Sequence, residues 1–146
     1  MTQTVAERVW FRFVRLDTLM QGYVAGQFKA TGLSVPQCDV LSTLTEREGD
    51  SKQELAARLY VTKGNISGLI DRLVAAGLVE RRSLNGDRRS HAIFLTPAGR
   101  AAGERGVAIQ KNFVAQTLGC LSADQLLQFD ALLLAAREAV RAVVKG

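Results

Sequence analysis

The chain is poor in the residues that build metal sites and disulfide frameworks. Its 146 residues include two cysteines, Cys38 and Cys120, and one histidine, His91. The cysteines have no CxxC spacing, which argues against a disulfide framework or a cysteine-based metal site and fits a reducing compartment. A single histidine without a Cys or His cluster argues equally against a metal. We therefore expect neither a metal nor another cofactor.

Long apolar runs and catalytic motifs are also missing. No apolar run approaches the roughly 18 residues that a membrane span needs. The first residues, MTQTVAERVWFRFVRLD, carry charges throughout, unlike a secretory signal peptide. The chain has no Gly-rich phosphate loop after a strand, no HExxH and no serine elbow. We expect a cytoplasmic protein that does not associate with membranes and is not an enzyme.

The positive charge is concentrated in one segment. The formal net charge is +5, and residues 58–89 contain seven basic and three acidic side chains, a local charge of +4. The basic residues are Arg58, Lys63, Arg72, Arg81, Arg82, Arg88 and Arg89. A solvated basic face is one interpretation. The concentration favours a polyanion partner, because neutralising phosphates releases their counterions.

Periodicity and capping residues predict six helices and one hairpin. Capping-box patterns begin at Ser34, Ser51 and Ser122, and Thr62 is a further N-cap candidate. Asn85-Gly86 is a strong reverse-turn dipeptide between two extended runs, which predicts a β-hairpin with a basic tip. We expect helices near 6–29, 35–49, 52–59, 63–76, 97–118 and from 123 onward, with strands over 78–83 and 91–95.

The segment from Gln53 to Thr96 has the pattern of a winged helix-turn-helix. Two short helices that cross steeply need a small side chain where they touch, and Ala56 provides it. Val61 fills the turn between them. Polar residues on the second helix remain available to read base edges or to hold phosphates, and a basic hairpin follows. The candidate DNA-binding residues are Thr62, Lys63, Gly64, Asn65, Ser67, Gly68, Arg72, Asp87, Arg88 and Arg89. We expect the two glycines to allow a close approach to DNA.

Four stretches, 54–67, 70–81, 87–90 and 95–99, resemble the MarR family of transcriptional regulators. The resemblance is close over the middle third of the chain, and it implies a homodimer whose first helix and last two helices intertwine. Each winged helix would read half of a pseudo-palindrome. Asp87 would orient Arg89 into the minor groove, with Arg88 on a phosphate. Tyr60 departs from the glycine that such turns often carry.

The expected fold is mainly α with a small β-hairpin wing, a winged helix-turn-helix flanked by dimerisation helices at both ends. We expect a single domain over 1–146, with a DNA-binding lobe over 34–96 and dimerisation helices over 5–31 and 97–145. The last helix is apolar over more than one face, which is typical of an interface. The predicted function is a ligand-responsive repressor that binds double-stranded DNA as a homodimer. The alternatives are a winged helix used for protein–protein contact and a DNA-binding activator.

The resemblance also implies a small aromatic or phenolic acid as effector. Candidate pocket residues are Trp10, Arg12, Phe13, Arg15, Tyr23 and Phe28. The same apolar stripe is typical of a core or dimer interface, and we favour that interpretation. Cys38 lies beside Asp39, which would raise its pKa, so we expect an inert thiol. For Cys120 the sequence leaves open whether the thiol is inert or reactive.

Overall fold

In a computed structural model the chain forms two compact units, residues 1–110 and 111–146. The structure describes residues 2–59, 65–84 and 86–145, without the side chains of 87–90. The expected set of helices and one hairpin is confirmed over these residues. The elements are α1 (Val5–Lys29), α2 (Val35–Glu46), α3 (Lys52–Arg58), α4 (Ile66–Ala75), β1 (Val79–Leu84), β2 (Asp87–Leu95), α5 (Pro97–Gln116), a 3-10 turn (Leu118–Cys120) and α6 (Ala123–Val144).

Capping boxes set the beginnings of four helices. Those at Ser34, Ser51 and Ser122 form as predicted, each with a reciprocal bond from the third helical residue. A fourth, which the sequence analysis did not identify, joins Thr4 to Glu7 at the start of α1. Each box satisfies two backbone N–H groups that would otherwise lack partners.

Two helix boundaries differ from the prediction by three residues. Helix α2 ends at Glu46 and not near Gly49, because Arg47 is already extended at φ −158°. Helix α4 begins at Ile66 with Asn65 as its N-cap, so the prediction that Thr62 caps this helix is wrong. The physical reason is that the Asn65 side chain accepts a hydrogen bond from the Gly68 backbone, which begins the helix there.

The core of the first unit lies among α2, α3, α4 and the hairpin. Apolar positions spaced three and four apart on the helices meet alternate positions of the strands. The main cluster of buried apolar side chains consists of Val40, Leu41, Leu44, Leu55, Leu59, Leu69, Ile70, Leu73, Val79, Ile93, Leu95 and Ala102. This core holds α4 by one face and leaves its other face outside.

The strands β1 and β2 pair antiparallel, from Val79 opposite Leu95 to Leu84 opposite Asp87. The second strand is longer than the predicted 91–95. Its other edge meets the loop before α3: Ile93 donates to the Asp50 carbonyl and accepts from the Gly49 amide, both at 2.9 Å. The Leu95 amide donates to the Glu48 carboxylate at 2.9 Å.

The first half of α5 packs closely on its neighbours through glycines. A methyl group at Gly99 would collide with the carbonyl oxygen of Leu78, and one at Gly103 would lie 2.8 Å from the Leu41 carbonyl oxygen. The role of these glycines in the fold is close approach of backbones.

The apolar side chains of α1 and α6 are largely uncovered in a single chain. On α1, Trp10 is 59% exposed and Leu19 73%, and on α6, Leu132 is 70% exposed and Val143 80%. Within the described ranges no single helix is long and apolar enough to cross a membrane, although the bent pair Pro97–Cys120 and Ala123–Val144 meets that criterion of length and composition when taken together.

Candidate nucleic-acid interface

Helix α4 presents a polar face to solvent. Leu69, Ile70 and Leu73 are buried beneath it. Asn65, Ser67 and Arg72, three of the predicted DNA-binding residues, are exposed. The amphipathic pattern therefore orients this helix as expected.

The start of α4 uses Gly68 differently from the expectation. The Asn65 Oδ1 atom accepts from the Gly68 amide at 2.8 Å. A Cβ at position 68 would lie 2.6 Å from the Asn65 Nδ2 atom and 2.9 Å from Oδ1. The space above Gly68 is therefore occupied by the capping side chain and is not left open for the approach of DNA.

A lysine that the sequence analysis did not select lies against this helix start. The Lys52 Nζ atom donates to the Ser67 Oγ atom at 3.0 Å, and both side chains are exposed. The two residues are fifteen positions apart, on α3 and α4. No local sequence signal indicates such a pair.

Among the described side chains of the charged segment, three arginines are paired with carboxylates. Arg81 of β1 bonds to Asp71 of α4, which ties the hairpin to the helix. Arg82 donates to Glu80 from Nε at 2.8 Å and lies 4.0 Å over the Phe94 ring centroid. These contacts reduce the free positive charge of the segment.

Arg58 is the third paired residue, and its role is structural. Its guanidinium donates to the Asp50 carboxylate at 2.6 Å and to the carbonyls of Thr43 and Arg47 at 2.9 and 3.1 Å. The side chain of Asp50 is 6% exposed. The charge count in the sequence could not separate this partly buried cation from those that face solvent.

The carboxyl group of Asp50 is held in its charged form. Burial by itself raises its pKa, but hydrogen bonds from Arg58 and Arg47 and the charges of both guanidinium groups lower it further than burial raises it. The resulting pKa lies below the ordinary value for aspartate. The ion pair ties the end of α2 and the following loop to the last turn of α3.

Several predicted contact residues cannot be placed. Thr62, Lys63 and Gly64, together with Tyr60 and Val61 of the predicted turn, lie outside the described residues, as does Asn85. Asp87, Arg88 and Arg89 belong to β2, but their side chains are not described. Gly86 has φ 75°, as the predicted turn requires. The roles assigned to these residues stay predictions.

Two of the candidate effector residues lie in a groove on α1. Arg12 and Arg15 line a shallow groove on α1 with Gln3, Arg8 and Phe11. The predicted aromatic residues Trp10, Phe13 and Tyr23 are not part of that groove and are 59%, 47% and 48% exposed. Phe28 is fully buried, so it belongs to the core and not to a ligand pocket.

Cys38 is buried and Cys120 exposed, and both are free thiols. Burial raises the pKa of the Cys38 thiol to about 11; a hydrogen bond with Thr31 opposes this, and the charge of Asp39 adds to it. The predicted effect of Asp39 has the right sign but is smaller than that of burial.

Comparison with known proteins agrees with this geometry. Residues 31–90 match the sequence model of the MarR family. An uncharacterized HTH-type transcriptional regulator of Bacillus cereus is 32% identical over 111 residues, which cover 75% of this chain and 73% of that protein. The chain belongs to the MarR family.

Two further proteins are similar to this MarR-family chain. The HTH-type transcriptional regulator TtmR of Methylorubrum extorquens is 43% identical over 68 residues, which span 47% of this chain but 35% of TtmR. The structure of the S. aureus MepR–DNA complex superposes with a TM-score of 0.78 at 20% identity, covering 89% of this chain and 96% of MepR. Transcription regulation through a DNA-binding winged helix is therefore the function of the family to which this chain belongs.

Proposed function

We propose that this regulator is a repressor that binds a pseudo-palindromic operator as a homodimer, and that it acts through DNA binding and not as an enzyme. The observation that carries the proposal is the orientation of α4. Its apolar face is held in the core, and Asn65, Ser67 and Arg72 face solvent. Arg81 bonds to Asp71, so the hairpin is fixed beside the same helix. The likeness to MepR, whose structure contains DNA, supports the same mode.

The dimer is supported by the uncovered apolar side chains of α1 and α6. Val143 and Val144 are 80% and 77% exposed, and Val5 is 66% exposed. Large apolar side chains exposed along a helix are typical of an interaction surface, and each of the two helices carries such a set. We propose that a second copy covers these side chains, with the DNA-binding lobe over 34–96 and dimerisation helices over 5–31 and 97–145. Two-fold symmetry would then place the two α4 helices about 34 Å apart, or a multiple of that distance.

Binding to DNA from upstream of the protein's own gene, measured over a series of salt concentrations against random duplex, tests the proposal. We expect selective binding with a steep salt dependence, because several phosphates are neutralised. Arg89→Ala should weaken binding while the fold and the dimer persist. Arg105→Ala, an exposed arginine on α5, is the matched control and should leave affinity unchanged. Equal, weak binding to both duplexes would favour a winged helix that contacts another protein.

The oligomeric state is tested separately by Val143→Asp. A carboxylate at this exposed position should leave the helical content unchanged and shift the sedimentation coefficient to that of a monomer. Operator affinity should fall with it, since half-sites would bind independently. A dimer that survives the substitution would place the interface elsewhere. In cells, a reporter whose operator overlaps the promoter should rise in expression when the regulator is deleted; a fall would identify an activator.

We further propose that a small aromatic acid lowers DNA affinity. The support is the groove in which Arg12 and Arg15 lie beside Phe11, a combination that suits a carboxylate attached to a ring. Operator binding measured with and without salicylate tests this. The double substitution Arg12→Gln with Arg15→Gln should abolish the response and preserve operator binding. A response that persists in the variant would exclude these arginines.

A further inference from the structure

The hydroxyl group of Ser67 is constrained by its partner. A serine hydroxyl has one proton and two lone pairs, whereas a lysine ammonium has three protons and no lone pair. Since Lys52 donates to the Ser67 Oγ atom at 3.0 Å, the serine proton must point elsewhere. A second donor that approached this oxygen would also approach the ammonium, which repels it. The Ser67 proton is therefore available to an acceptor outside the helix, whereas the remaining lone pair of Oγ lies beside the ammonium and is less favourable for a second donor.

The side chain of the neighbouring Asn65 is also oriented so that its N–H groups, and not its oxygen, face outward. Its Oδ1 atom faces inward and accepts from the Gly68 amide at 2.8 Å. Its Nδ2 atom, with two protons, remains free of the capping bond. An asparagine that pairs with adenine uses its oxygen and its nitrogen together. Asn65 would have to leave the helix cap to do so.

Three side chains at the start of α4 thus offer protons and few acceptors. They are the Lys52 ammonium, the Ser67 hydroxyl and the Asn65 amide nitrogen, and all three residues are exposed. In the major groove, guanine presents two acceptors, O6 and N7, and no donor. Adenine presents one acceptor beside an amino donor, cytosine presents an amino donor, and thymine presents one acceptor beside a methyl group. Guanine is the base whose edge complements this surface.

We infer that Lys52, Ser67 and Asn65 form a surface, rich in hydrogen-bond donors among the described residues, that selects guanine in each half-site of the operator. The inference rests on the proposed function, because it assumes that α4 enters the major groove. It assigns Lys52 a role in specificity: by donating to Ser67 it fixes the polarity of the serine hydroxyl.

Selection from a random-sequence duplex library, with the full-length protein, identifies the preferred half-site. The inference expects at least one guanine at a fixed position in both half-sites. Replacing it by adenine should weaken binding about tenfold, as for one well-made base contact. Replacing it by 7-deazaguanine, which lacks the N7 acceptor, should also weaken binding. If no sequence is enriched, the proposed function fails. If a sequence is enriched but needs no guanine, only the present inference fails.

Three variants test the individual residues. The quantity measured is the ratio of the affinity for the operator with guanine to the affinity for the operator with adenine at the same position. A loss of phosphate contacts weakens binding to both operators equally and does not change this ratio. Lys52→Met and Ser67→Ala should each reduce this ratio toward one at the same position. Asn65→Asp keeps a side chain that caps helices well, but it replaces the amide protons by an acceptor and should shift preference toward cytosine. Lys111→Met, which removes an exposed charge on α5, should leave the ratio unchanged. An unchanged ratio in Lys52→Met would overturn the role of Lys52.

Discussion

The ion pair between Asp50 and Arg58 should make the fold sensitive to one carboxyl group, and Asp50→Asn isolates its charge. The variant keeps the shape of the side chain and one acceptor for Arg58. It removes the charge that balances a guanidinium whose side chain is only 20% exposed. Breaking a buried ion pair by altering one partner costs about 3–5 kcal/mol. The Glu46 carboxylate, 3.6 Å from Arg58, offsets part of this loss, so we expect a cost of about 2–3 kcal/mol.

For a chain of this length, about 1 kcal/mol corresponds to a shift in Tm of roughly 2–4 °C. Thermal unfolding of Asp50→Asn, followed by circular dichroism at fixed protein concentration, should thus give a Tm lower by roughly 5–10 °C. Fixed concentration matters because association stabilises the folded state by mass action. Glu46→Gln is the matched control. Its side chain is 65% exposed, and the Tm should change by less than about 2 °C, as for an exposed pair.

The wild-type protein and Asp50→Asn also give a pH test, in which the direction of the effect is defined. The pKa of Asp50 is lowered in the folded state, so its charge stabilises the fold at pH values above the ordinary aspartate pKa of about 3.9. This contribution is lost as pH falls through the folded-state pKa, where wild-type Asp50 takes up a proton. The difference in Tm between wild type and Asp50→Asn should therefore shrink below about pH 4. A difference as large at pH 3 as at pH 7, or no difference at pH 7, would refute the reasoning.

Two further predictions concern buried glycines and thiols. Gly99→Ala should lower the free energy of unfolding by roughly 3 kcal/mol or more, because the new methyl group meets the Leu78 backbone; Gly106→Ala, whose nearest neighbour is a side-chain hydroxyl 3.1 Å away, should change it by less than about 1 kcal/mol. Equal costs in urea denaturation would contradict this account. The raised pKa of Cys38 predicts that a disulfide reagent at pH 8 titrates Cys120 alone in the native protein and both thiols after denaturation. Rapid labelling of Cys38 in the native protein would show that it is accessible.

Local chemistry explains most of what the sequence could predict. Capping boxes involve residues three positions apart, so Ser34, Ser51 and Ser122 could be identified without knowing the fold. The start of α4 was harder, because Thr62 and Asn65 are both good N-caps. Which of the two residues caps the helix depends on three-dimensional contacts, which the order of residues in the sequence does not reveal.

The candidate site was predictable in outline and not in its contacts. The exposure of Asn65 and Ser67 follows from the apolar spacing on their helix. The bond between Lys52 and Ser67 spans fifteen residues and that between Arg58 and Asp50 spans eight. Both depend on how α3 is set against its neighbours. A count of charges therefore includes Arg58 among the cations available to DNA, although the fold uses it internally.

The hydrogen bonds along the outer side of β2 also bear on aggregation. A strand with unpaired backbone groups at its edge is a template on which another chain can add. At its C-terminal end, β2 has β1 on one side and Gly49 and Asp50 on the other. The Leu95 amide there donates to the Glu48 carboxylate. The opposite edge of the sheet belongs to β1, where charged residues at positions 80–82 discourage a further strand. The base of the hairpin is thereby protected against the addition of a strand from another chain.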